Sequence, residues 1–372
     1  MSRTRGSRPG AGRAVMALAM AAALVAAGGC GGAAPPATPT PAIPGASEPA
    51  NASATTPPPG TPSSGTASAS PDDTQPRAGT LAGDGWIAWQ EGRSLTVARL
   101  DGSERRPLFA DGADAGHPDW SPDGTRIAYV RDEADGTADI RTVNRDGTDD
   151  RLLVDCVTPC TFAEDPAWSP DGTRIAYWSN DAERQFIRVA DAITGEVLHT
   201  VEAPELVGPV GPRWSPDGQR LAVHAEVYRP AGSDFVLEDG RIGVIDLAAA
   251  EPALELLTEP GLLASYPDWS PDGDRILFLA GNLQPFARGT PTDLWTIRPD
   301  GSEATLLRDG VAGEPRLATP AWTGAQPPIL VTLIDGGSYV LGAVAPEGGP
   351  ALRLVDASGR PMAGAHPRAW VR

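Results

Sequence analysis

A chain of 372 residues is long enough for one large all-β domain or two smaller domains. Its 48 acidic and 30 basic side chains leave a formal charge of −18, and every basic side chain is arginine. A surface this acidic repels nucleic acid and anionic headgroups, which excludes both as partners reached through electrostatics.

Residues 1–29 place Arg3, Arg5, Arg8 and Arg13 ahead of the uncharged run AVMALAMAAALVAAGG. A positive start before a short apolar stretch is an export signal, too short for a stable membrane span. The run ends in AAGGC, which resembles the lipobox of bacterial lipoproteins, and that resemblance implies a lipidated Cys30 as the mature N-terminus. The alternative is an ordinary secretory signal with Cys30 incidental. Removal of the signal takes four arginines and no acid, moving the formal charge from −18 to −22. With Cys30 carrying lipid, Cys156 and Cys160 in CVTPC are left to pair as a disulfide in an oxidising compartment. A metal fragment is the other reading, but one C-x3-C supplies only half of a tetrahedral site.

Residues 30–80 are mostly Pro, Ala, Thr, Ser and Gly and bury too little apolar area to offset chain entropy, so a disordered tether is expected. From residue 31 it would reach about 40 Å as a coil, or on the order of 150 Å in polyproline geometry. The folded part is expected from Leu81 to Arg372.

Within that part PDWSPDGTRIAYV begins at Pro118 and returns as PAWSPDGTRIAYW, PRWSPDGQRLAVH and PDWSPDGDRILFL from Pro166, Pro212 and Pro267. Each copy carries four strand signals, here DWS, RIAYV, ADIRTVN and DRLLV, joined by SPDG and RDG turns. Pro presets φ, Asp caps the turn and Gly accepts positive φ. Helical periodicity is absent, and units of this length with four strands are propeller blades. WSPDG followed by an I-A-Y/F strand resembles the TolB-like, or WD-like, β-propeller repeat family. TPAWTG and HPRAWVR are worn copies of the same mark. The last has no room for three further strands, while residues 85–109 supply three strands without a first. A six-bladed ring is therefore expected, closed by the C-terminal strand joining the N-terminal blade, with no free sheet edge at the junction.

Asp123, Asp171, Asp217 and Asp272, followed by Arg126, Arg174, Arg220 and Arg275, read as turn-stabilising pairs, and the Trp of each copy reads as inter-blade packing. Function is expected where the blades differ, on the face opposite the WSPDG turns. Two long loops are expected there, Ala225 to Gly240 and Ala280 to Asp293. They offer Tyr228, Arg229, Phe235, Phe286 and Arg288, residue types enriched at interaction hot spots. His117, Asp165, Tyr266 and His366 each precede the Pro of their copy and are expected at the channel mouth, one per blade, which is wide for a metal shell. His199 and His224 read as strand positions without partners. No G-x-S-x-G elbow and no phosphate-binding Gly loop occurs. The expectation is a monomeric, non-enzymatic, extracytoplasmic lipoprotein without cofactor or metal, anchored to the membrane through Cys30 and acting as a protein-interaction or ligand-binding module of the cell envelope. The TolB resemblance implies an envelope partner such as a peptidoglycan-associated lipoprotein, although a tether stands here in place of TolB's additional N-terminal domain. The alternative is an extracellular glycan lyase or hydrolase using the channel mouth.

Overall fold

The computed structural model describes residues 78–109, 114–181, 184–204, 207–231, 234–281, 292–310, 314–323, 328–335 and 337–371. The described residues contain twenty-five strands and no helix. In chain order they are β1 (Ala78–Gly79), β2 (Gly85–Glu91), β3 (Ser94–Arg99), β4 (Arg106–Pro107), β5 (Ala115–Trp120), β6 (Arg126–Asp132), β7 (Ala138–Asn144) and β8 (Arg151–Val154). Then come β9 (Ala163–Trp168), β10 (Arg174–Asn180), β11 (Gln185–Asp191), β12 (Val197–Glu202), β13 (Val207–Trp214), β14 (Arg220–Ala231), β15 (Asp234–Asp246) and β16 (Leu254–Leu256). The last nine are β17 (Ser265–Trp269), β18 (Ile276–Ala280), β19 (Asp293–Ile297), β20 (Thr305–Arg308), β21 (Arg316–Trp322), β22 (Ile329–Asp335), β23 (Ser338–Val344), β24 (Leu352–Leu354) and β25 (Ala365–Val371).

They form six antiparallel blades. Blade 1 is β25-β2-β3-β4, so the C-terminal strand pairs with β2 of the N-terminal blade, with Trp370 opposite Trp86 and Ala369 opposite Ile87. Blades 2 to 5 are consecutive groups of four strands, and blade 6 is β21 to β24. Outside β24 lies β1, paired in parallel with Ala78 opposite Arg353. Ordered structure thus reaches Ala78, three residues earlier than the composition suggests, because an edge strand offers free hydrogen-bonding groups to any adjacent extended chain.

The core lies between neighbouring sheets. Ile87 and Trp89 of blade 1 cluster with Leu330 and Leu341 of blade 6, and Val189 of blade 3 with Leu221 and Ile245 of blade 4. Indole N–H groups cross these seams: Trp120 donates to the Arg368 carbonyl, Trp214 to Ala167 and Trp269 to Arg213, at 2.9 to 3.1 Å. In each SPDG turn the Ser hydroxyl donates to the Asp carboxylate, at 2.5 Å for Ser169 and Asp171, and accepts from the Arg N–H five residues on. These contacts hold Asp171 down at about 2. The expected Asp–Arg pairing appears in only two turns, Asp171–Arg174 at 3.6 Å and Asp217–Arg220 at 3.9 Å. Arg126 and Arg275 turn to Asp149 and Glu303 of their own blades instead.

One expected loop is corrected. Ala225 to Gly240 is a hairpin, the extension of β14 and β15, paired out to Ala231 opposite Asp234. Val227, Tyr228, Val236 and Leu237 are β-formers, so pairing continues beyond the blade core. Tyr228 is buried and its hydroxyl lies 2.5 Å from Glu226, while Arg229 stays exposed, 3.7 Å from Glu238. Phe235 lies on β15. Phe286, Arg288 and Cys30 lie outside the described residues.

Candidate binding site at the channel mouth

Each inner strand runs from the face opposite the SPDG turns towards its own turn, so its first residues border one mouth of the channel. There the residue before each Pro adopts positive φ: His117 (51°), Asp165 (50°), Gly211 (59°), Tyr266 (53°), Thr319 (43°) and His366 (54°). The inner pair of every blade shifts register at this point, as between Gly116 and Asp119. A bulge inserts a residue and re-aims its side chain. Left-handed backbone costs about 1–3 kcal/mol for a non-glycine residue, so the ring carries five such strained positions. Chain-wide strand geometry over-determines them.

The bulges bring together side chains that one-per-blade spacing would keep apart. His117 Nδ1 lies 2.5 Å from Asp165 Oδ1 of the next blade. On its other side the His117 ring stacks on His366 with centroids 4.3 Å apart. Asp165 also accepts from the Trp178 indole at 3.1 Å. Burial alone would lower the His117 pKa, but the Asp165 carboxylate outweighs it and holds the imidazole above its ordinary value. Burial works against ionisation of Asp165 too, and His117 overcomes it, keeping Asp165 well below the usual carboxylate range. His366 goes the other way: burial and the facing His117 charge hold it neutral, well below 6.5. Glu164, beside the pair, is pushed up to about 7 by burial, against the pull of His117. Across the mouth, Tyr266 lies 6.4 Å from buried His224 between ring centroids, and burial raises its hydroxyl pKa. His224 Nε2 has no partner among the described residues, and burial lowers its pKa. His224 lies on β14, the strand position without a partner that its place in the sequence implies.

A second tier lies two residues deeper and was missed altogether. The residue after each Pro reads, blade by blade from blade 2, Asp119, Ala167, Arg213, Asp268, Ala321 and Arg368. Acids and arginines thus face their own kind across the axis and alternate around it. Asp119 lies 3.8 Å from Arg368. The Asp119 carboxylate accepts the Trp168 backbone N–H at 2.7 Å, and Asp268 accepts that of Trp322 at 2.8 Å. Burial, then the facing Arg213, lowers the Arg368 pKa to about 10. The signal was present in the sequence as the variable letter that follows each Pro.

Among the described residues no group of three His, Cys, Asp or Glu side chains is arranged to hold a metal ion. The Cys156–Cys160 disulfide is formed, with Cα atoms 5.3 Å apart, in the connection from blade 2 to blade 3. Its Cys156 N–H donates to Asp139 at 2.9 Å. No described helix is long and apolar enough to cross a membrane.

Residues 124–305 match the family model of the TolB beta propeller domain. Among solved structures the chain is similar to TolB from Acinetobacter baumannii, at 17% identity and a TM-score of 0.56, covering 77% of this chain and 66% of that one. It is also similar to a putative TolB from Agrobacterium tumefaciens (16%, TM-score 0.52, covering 78% and 98%) and to a chain of a nidogen/laminin complex (12%, TM-score 0.54, covering 78% and 99%). At these identities the likeness is one of fold, and this chain spans just under two thirds of the A. baumannii protein. No curated protein sequence matches the chain. The repeat letters and the six closed blades, with residues 124–305 matched by the family model, identify a six-bladed propeller built on the TolB-like repeat.

Proposed function

We propose that the protein is an extracytoplasmic lipoprotein, anchored through Cys30, whose propeller binds a protein of the cell envelope at the channel mouth and carries out no covalent chemistry. The observation that carries this reading is the His366–His117–Asp165 arc: three titratable side chains from three successive blades, held in contact at strained bulge positions on the loop-bearing face. Such an arc offers a partner a charged hydrogen-bonding surface on a rigid frame, and binding there needs no lid. The TolB-like family and the name TolB on two structural neighbours support an envelope partner. The apolar run ahead of Cys30 supports export.

Two experiments test the reading. Labelled palmitate fed to a bacterial host should enter the full chain and not its Cys30→Ser variant; label retained by the variant removes the anchor. The full chain purified from cross-linked membranes should retain an envelope protein that a His117→Asn/His366→Asn variant of equal thermal stability loses. Equal retention by both excludes the mouth as the contact. Release of products from extracellular glycans by the native chain and not by the variant would install the lyase or hydrolase reading instead.

A further inference from the structure

The repeat supplies its own controls for a second site, on the face of the SPDG turns. At the seam between blades 3 and 4, Arg174 from the SPDG turn reaches across and stacks on Trp214, 4.5 Å from the ring centroid, while the indole donates to the Ala167 carbonyl. At the seam between blades 4 and 5, Arg220 covers Trp269 at 4.9 Å, and that indole donates to the Arg213 carbonyl. The seam between blades 2 and 3 carries the same residues, Arg126 and Trp168, yet has neither contact. Arg126 is held inside its own blade by Asp149 and Asn144, each at 2.8 Å, and by the Thr142 hydroxyl at 2.9 Å. The Trp168 backbone is drawn to Asp119, and its buried indole N–H has no acceptor among the described residues. What is left is a cavity of about 400 Å³ lined by Trp168, Asp123, Asp171, Leu152 and Ile193.

The walls say what fits. Leu152 is 47% and Ile193 86% exposed, and neighbouring Val197 and Leu198 are 45% and 46% exposed, so most of the exposed large apolar side chains among the described residues gather in blades 2 and 3. Two cations at the cavity, Arg126 and Arg151, share Asp149 at 2.8 and 2.7 Å. Asp123 and Asp171 line the opening and are exposed; each is bonded within its own turn to the Ser hydroxyl and to the Thr two residues on, and Asp171 meets the Arg174 guanidinium only at 3.6 Å, Arg174 being itself committed to Trp214.

We propose that this seam is an arginine slot, which takes from a partner protein the guanidinium that the neighbouring seams take from their own chain. The guanidinium stacks on Trp168 beside Asp123 and Asp171, and its methylene stem lies along Leu152 and Ile193, as arginine stems do on apolar surface. The formal charge of −18 steers a basic segment towards it. The slot lies apart from the channel mouth. It draws on the interaction-module reading only in naming a protein as the source of the guanidinium.

The test is a titration of the full chain with N-acetyl-arginine amide and with its uncharged isostere N-acetyl-citrulline amide, followed through the indole N–H resonances and assigned with Trp168→Phe. The Trp168 indole should shift saturably with arginine, and citrulline should bind at least about tenfold more weakly. Asp149→Gly keeps the backbone at ease, since Asp149 sits at φ 55°, and frees Arg126 to swing over Trp168. Arginine should then bind at least about fivefold more weakly, with the Trp120 and Trp214 resonances unmoved as evidence of an intact ring. Equal binding of citrulline, undiminished binding by Asp149→Gly, or a silent Trp168 would each overturn the slot. If the His117 and His366 resonances respond in place of Trp168, arginine sits at the channel mouth, the slot fails, and the proposed function stands.

Discussion

Deleting Ala369–Arg372 removes the last three of the seven residues of the strand that closes the ring, and the structure sets the size of the effect. The pairs Gly85–Val371, Trp86–Trp370 and Ile87–Ala369 are lost, along with the Trp370 indole bond to the Pro122 carbonyl at 2.9 Å. Three or four hydrogen bonds at about 1 kcal/mol each amount to about 3–4 kcal/mol. Ala369 and Val371 pack on the Ile87 cluster and Trp370 on the Trp86 cluster, all part-buried, which adds about 2–3 kcal/mol. A total near 6 kcal/mol in a propeller of about 290 residues corresponds to a fall in melting temperature on the order of 10 °C. Calorimetry of the truncated chain should show one transition displaced as a whole, since an opened ring exposes the blade 1 edge to every later step of unfolding. A shift below about 2 °C, or hydrogen exchange accelerated only along β2, would refute closure as the source of stability.

Three further outcomes follow from local geometry. Gly124→Ala should cost at least about 2 kcal/mol in chemical denaturation, because a Cβ there would lie 2.3 Å from the Trp370 ring at a φ of +66°. Asp165→Asn should bring the His117 pKa, read by NMR, from above 6.5 to below it, as burial then outweighs the remaining pull of Glu164. The stability that the raised His117 pKa contributes is fully present below pH 6.5 and is lost as pH rises through the folded value, so the variant should lack that decline. Replacing Cys156 and Cys160 together by Ser should cost about 2 kcal/mol, the loop-closure value for so short a loop, seen as an equal loss in reduced native protein.

Much of the architecture was legible because the blade is written in letters with a mechanical meaning. Ser121, Asp123 and Gly124 make a turn by their own bonding and φ, and that turn recurs wherever the letters do. Closure was legible from the orphan strand letters at the two ends. The hairpin at residues 225–240 was not, because the letters Pro230, Gly232, Ser233 and Asp234 read as loop in the sequence while the β-formers flanking them decide the pairing. Contact between His117, Asp165 and His366 was not legible either. It depends on the bulge, a consequence of three-dimensional register, which swings each pre-proline side chain towards its neighbours.

The two tiers of the channel show which part of this ring is scaffold and which is specific. In the deeper tier the order Asp, Ala, Arg occurs twice, so blades 2, 3 and 4 correspond to blades 5, 6 and 1. The correspondence extends outward: Asp149 and Glu303 both sit at positive φ and hold Arg126 and Arg275, and both Trp168 and Trp322 give their backbone N–H to an Asp and leave the indole without an acceptor among the described residues. At the mouth this two-fold pattern stops. His117 faces Tyr266, Asp165 faces Thr319, and Gly211 faces His366, and the three contacting titratable groups fall on consecutive blades. A ring that repeated for stability alone would have no reason to break its pattern at the one tier that costs it backbone strain. The break on that arc is therefore the strongest reason to look for the partner there.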